Sequence, residues 1–142
     1  MLKSVNKDKV EMILIWCEYM FGKSKEKGRF PKLRVYKTKG CSYDNDPDGR
    51  YGHYTGYNNT ISIFLGTHNN YKELCRTVIH EYKHYLLGDK KFNKITKRLR
   101  KKGYSDYDIS FCHPHEKKAE NFEDIWTDIC YSELKNKLYR KI

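Results

Sequence analysis

His80-Glu81-Tyr82-Lys83-His84 brings two imidazoles and a carboxylate into one pentapeptide. On a helix, side chains four residues apart share one face, about one turn or ~6 Å from each other. Two imidazoles so placed can reach a single zinc ion at about 2.0–2.1 Å. Glu81 lies beside them and cannot easily ligate the same ion. It can instead serve as general base, taking a proton from the water that attacks a peptide carbonyl and passing it to the leaving amine. The competing reading is a surface helix with two solvated histidines.

A catalytic zinc needs a third protein ligand and an open fourth position. The sequence offers few. In the segment that opens His113-Pro114-His115-Glu116, Glu116 and Glu120 stand four apart. One carboxylate can bind the ion while the other supports a ligand histidine from behind. His113 and His115 are the remaining candidates, although a histidine beside proline at a helix start more often caps it. His113, Tyr104 and Tyr107 are candidates to stabilise the oxyanion.

These residues need helices to hold them. Residues 71–87 have Leu74, Val78, Tyr82 and Tyr85 at core spacing, with Asn70 before them and Gly88 after, so a helix is predicted there. Pro114 suits the first turn of a second helix that would carry Ala119, Phe122, Ile125, Trp126, Ile129 and Leu134. Ala119 would let the two helices approach closely. Upstream, residues 5–21 predict an amphipathic helix capped by Asn6, with Met20 among its apolar positions. Leu33 and Val35 mark a short strand. Residues 51–57 and 60–65 read as two more strands around Asn58-Asn59, where asparagine tolerates the positive φ of a tight turn. Ile61, Ile63 and Leu65 fall on one face. Residues 103–111 read as a loop.

The two motif halves together resemble a known family. His80 to His84, followed by Pro114-x-Glu116-x-x-Ala119-x-x-Phe122, is similar to the gluzincin arrangement, and most similar to the ImmA/IrrE-like group of small intracellular zinc peptidases. The resemblance covers residues 59 to about 129. It implies an α+β, zincin-like fold, one zinc ion held by His80, His84 and Glu116, and Glu81 as the catalytic base. It also implies a protein substrate, such as a repressor, pairing along the edge of strand 60–65. The position after the alanine is often Asn or Asp in that group; here it is Glu120. The metzincin branch is excluded, because it needs Gly at 87 and His or Asp at 90, where Leu87 and Lys90 stand.

Bulk properties narrow the classes further. The chain has 142 residues, which suits one domain over 1–142. No apolar run approaches the ~20 residues of a membrane span, and no signal peptide is evident, so a cytoplasmic protein without membrane contact is expected. Five cysteines at wide spacing, without a C-x-x-C pair, argue for free thiols rather than a disulfide framework. Residues 44–49 match the opening of a calcium loop, but Thr55 stands where its final glutamate belongs, so an acidic turn is expected. The formal charge is +11, and residues 90–102 hold eight Lys and Arg and no acid. That segment is either a solvated helix packed by Phe92, Ile95 and Leu99 or a phosphate-contacting surface. The alternative to a peptidase is thus a basic nucleic-acid-binding module with a structural or degenerate zinc site.

Overall fold

A computed structural model of the chain describes residues 7–38 and 51–140. The expected Asn6 cap and the acidic turn at 44–49 lie outside these residues. In chain order the elements are α1 (Lys7–Phe21), β1 (Lys32–Tyr36), β2 (Gly52–Thr55), β3 (Thr60–Phe64), α2 (Tyr71–Leu87), α3 (Lys90–Lys101), α4 (Asp106–Cys112) and α5 (Pro114–Leu138). The architecture is α+β. The sheet is mixed, in the order β1-β3-β2, with β1 parallel and β2 antiparallel to the central β3.

Alternating apolar residues build the sheet's inner face. Ile61 and Ile63 of β3, and Leu65 just beyond it, are fully buried, as their period of two requires. Asn59 closes the β2–β3 turn at φ 51°. Its amide is buried and shared out: Oδ1 accepts from Tyr54 Oη at 2.8 Å and Nδ2 donates to the Phe30 carbonyl at 3.1 Å. That side chain ties the turn to the segment entering β1.

Helix α2 forms where the spacing places it. Asn70 Oδ1 accepts from Glu73 N at 2.9 Å, and Gly88 ends the helix at φ 79°. Leu74, Val78, Tyr82 and Tyr85 are all fully buried. The two tyrosine rings fill the core while their hydroxyls donate to the carbonyls of Gly22 and Arg29. Burial of the rings is therefore achieved without burying an unsatisfied hydroxyl. Helix α5 packs along α2, and α1 closes the core through Val10, Ile13, Leu14 and Cys17. Phe21 bridges to α5, with its ring centroid 4.6 Å from Phe122 and 5.2 Å from Trp126.

One expectation is corrected. Residues 106–112 are helical, not loop, because Ser105 Oγ caps the segment from Asp108 N at 3.1 Å and two aspartates favour its N-terminal end. Ile125 and Ile129 of α5 are exposed, as α5 is covered along only one side. Met20 is likewise exposed, at the end of α1 beyond its packed stretch. Among the described residues no helix is long and apolar enough to cross a membrane, and Cys17, Cys75, Cys112 and Cys130 are free thiols.

Candidate metal centre

One turn of α2 sets His80 beside His84, with ring centroids 5.0 Å apart. Glu116, in the first turn of α5, meets both. Its Oε2 lies 3.2 Å from His80 Nε2 and its Oε1 lies 2.8 Å from His84 Nε2. Ala119, fully buried, is the small residue that lets α5 come so close. The ligand-capable atoms of His80, Glu81 and His84 also lie within 4.8 Å of one another. That grouping would make Glu81 a ligand. Contact favours Glu116 instead, since one carboxylate touches both imidazole nitrogens. Glu81, next to His80 in sequence, is turned to a different angle around the helix and flanks the centre.

The donor set suits zinc. Donors about 2.0–2.1 Å from an ion at tetrahedral angles stand about 3.3 Å from each other. The two observed nitrogen–oxygen separations go to different oxygens of Glu116 and are hydrogen-bond contacts of 3.2 and 2.8 Å, close enough for the three groups to converge on one ion. Two imidazoles and one carboxylate are also the donors of a well-known class of catalytic zinc site.

Behind His80 stands Glu123, whose Oε1 lies 3.3 Å from His80 Nδ1. A carboxylate there keeps the proton on Nδ1 and leaves Nε2 to face an ion. Arg76 Nη1 in turn lies 3.6 Å from Glu123 Oε2 and 2.9 Å from Asp124 Oδ1. Glu120, one of the two carboxylates the sequence offered for this supporting role, is exposed instead. Helical phase explains the difference. Relative to Glu116, Glu123 turns about 20° toward the buried Ala119 side, whereas Glu120 turns about 40° away from it. The signal was legible as a second glutamate at i+7.

The electrostatics follow from this crowding. Burial works against a charge on His80, but hydrogen bonds to Glu116 and Glu123 and the nearby Glu81 outweigh it and raise its pKa to about 11. Burial likewise works against a charge on Glu116, and bonds from His80 and His84 hold its carboxyl well below the usual carboxylate range. In the metal-free protein the centre is thus an imidazolium held between carboxylates.

The other histidine candidates are committed elsewhere. His113 caps α5: its Nδ1 accepts from His115 N at 3.0 Å, and its Nε2 lies 3.0 Å from the Phe92 carbonyl. Its ring also stacks on Phe92 at 4.0 Å. His115 is buried with Nδ1 unpartnered, and burial with the neighbouring His113 and His84 lowers its pKa to about 4.

A cleft opens on the centre. One part, of about 470 Å³, lies toward Glu73 and Ser110. A second part, of about 300 Å³, lies toward Asp89 and Phe92. Both are lined by His53, Glu81 and Glu116, so the cleft passes the candidate centre on two sides. Tyr104 and Tyr107, suggested as oxyanion donors, do not line it.

The strand bordering this cleft is β2, not 60–65. Strand β3 is central and hydrogen-bonded on both edges, so it offers none to a substrate. Gly52 explains how β2 fits so close: a Cβ there would come within 2.7 Å of Thr77 Cγ2 and 3.2 Å of Glu81 Cγ. His68 braces the same corner, with ring nitrogens 2.8 Å from the Phe64 carbonyl and 2.8 Å from Thr77 Oγ1.

No family model, curated protein or solved structure matches this chain. The centre is characterised by its own geometry. Sequence reasoning had brought forward His80, Glu81, His84 and Glu116. It missed Glu123, the bracing His68, and the part that β2 plays, which is carried by sheet order rather than by any motif.

Proposed function

We propose that this protein is a zinc-dependent endopeptidase of the zincin type, with His80, His84 and Glu116 as ligands and Glu81 as general base. The observation that carries this reading is the Glu116 carboxylate within 3.2 and 2.8 Å of the two Nε2 atoms, at the floor of a cleft. A bound zinc supplies Lewis acidity, activating water and polarising the scissile carbonyl.

The chain's own residues do the rest. Glu123 orients His80 through Nδ1. Glu81 accepts the proton of the attacking water and delivers it to the amide nitrogen as the C–N bond breaks. Among the described residues β2 is an edge strand, and its outer edge would offer main-chain groups to an extended polypeptide, the mode of strand addition. Space on both sides of Glu81 and Glu116 favours cleavage within a chain over trimming of an end. The adjoining cleft also favours a site with an open position over a closed structural one.

The test compares the wild type with Glu81→Gln. Both are expected to bind about one zinc per chain, and Glu81→Gln to cleave an unfolded protein such as casein at least about a hundredfold more slowly. Equal cleavage would remove Glu81 from its role, and absence of zinc from both would remove the site.

A further inference from the structure

Residues 90–112 form a helical hairpin outside the zinc centre: α3, a short turn, and α4. No residue of α3 is buried. It leans on the body through the half-buried Phe92, Ile95 and Leu99, with Phe92 stacked on His113. Helix α3 nonetheless carries 7 Lys and Arg in 12 residues and no acid. Such a helix repels itself. Among the described residues, Arg100 is the one of these cations held in an ion pair, to Asp106 at 3.0 Å. The positive field is therefore left open to solvent.

A second feature adjoins it. Tyr104, Tyr107 and Phe111 are 46%, 59% and 68% exposed. At spacings of three and four residues they share one face of α4 and the turn before it. Tyr107 and Phe111 meet edge to face at 4.9 Å. This ridge is fixed to the last turn of α3 by the Arg100–Asp106 pair and by Tyr104 N donating to the Leu99 carbonyl at 3.2 Å. The sequence separates the basic run from these rings; the hairpin brings them together.

We propose that the α3–α4 hairpin binds single-stranded nucleic acid, its cations on the phosphates and its exposed rings stacked on bases. A polyanion answers the charge of α3. Exposed rings need free base faces, which a single strand offers and a duplex buries within its own stack. An acidic polypeptide would answer the charge but give the rings nothing regular to stack on. Ser110 of α4 lines the zinc cleft, so a bound strand would lie beside it.

The experiment measures anisotropy of a fluorescein-labelled twenty-nucleotide oligo-dT and of a duplex of equal length, with polyglutamate as competitor. The wild type is expected to prefer the single strand. If about five cations contact phosphates, raising salt from 50 to 200 mM weakens binding about a hundredfold. The double variant Tyr107→Ala, Phe111→Ala is expected to lose about tenfold on oligo-dT or more, and less than about twofold on the duplex. Lys94→Gln with Lys97→Gln is expected to lose affinity for both. Should the aromatic double variant melt early, Tyr104→Ala, outside any helix, carries the same comparison. Equal binding of both nucleic acids with an unaffected aromatic variant would overturn the proposal. So would displacement by polyglutamate at equal charge, which would point to an acidic protein, or absence of binding at 50 mM salt. No cleavage is read, so this result and that for Glu81→Gln stand apart.

Discussion

Glu116 is the residue on which the candidate centre turns. It is contributed by a different helix from the two histidines, and it touches both. Glu116→Ala is expected to abolish zinc binding at micromolar metal, whereas Glu120→Ala, at an exposed site, retains about one zinc; metal content after dialysis decides. Glu123 acts through His80. Its replacement by glutamine keeps a hydrogen-bonding group but weakens the acceptor, and is expected to lower zinc affinity about 10–100-fold. Competition with a chromogenic chelator measures this, and an unchanged affinity would remove Glu123 from the centre.

Among the elements, β2 has an exacting fit. It lies against α2 because residue 52 has no side chain, with Thr77 and Glu81 filling the space that a Cβ would enter. Gly52→Val is expected to push β2 away from the motif helix. The result should be a stability loss of about 1–3 kcal/mol, as for other overpacked sites, and a fall in cleavage larger than the fall in zinc affinity. Urea melts and metal titration separate the two effects. Much of this level was legible in the sequence. The α2 boundaries followed from Asn70 and Gly88, whose cap and positive φ are local properties. The α4 helix was missed because its support is a single cap and one buried residue, Ile109, too little to show as periodicity.

For the whole molecule, the consequence of the centre is a pH dependence. The His80 pKa is raised to about 11, so in the metal-free protein its contribution to stability is fully present below its ordinary value of 6.5 and is lost as pH rises toward 11. Glu116 is depressed, so its contribution is present above 4.5 and is lost as pH falls through its lowered value. Metal-free protein gains most from the pair between those ordinary values, about pH 4.5 to 6.5. On the proposed reading a zinc ion would have to displace the His80 proton, so its apparent affinity is expected to rise about tenfold per pH unit from pH 6 to 8. Calorimetry in buffers of different ionisation enthalpy would register the released proton; a pH-independent affinity would contradict a charged His80. Melting curves with and without zinc then report the same linkage as a concentration-dependent Tm.

The sequence alone determined the histidine pair, the glutamate between them and the helix that carries them, because spacing, capping and burial of α2 are all set within one stretch of chain. It also put Glu116 forward, through Pro114 and Ala119 beside it. Only the tertiary structure decided that Glu116 reaches both imidazoles, that Glu123 rather than Glu120 stands behind His80, and that β2 rather than 60–65 borders the cleft. Each of these depends on the rotation of α5 about its axis or on strand order in the sheet. Those are set by long-range packing of Ala119, Phe122 and the buried face of β3, which no local spacing encodes.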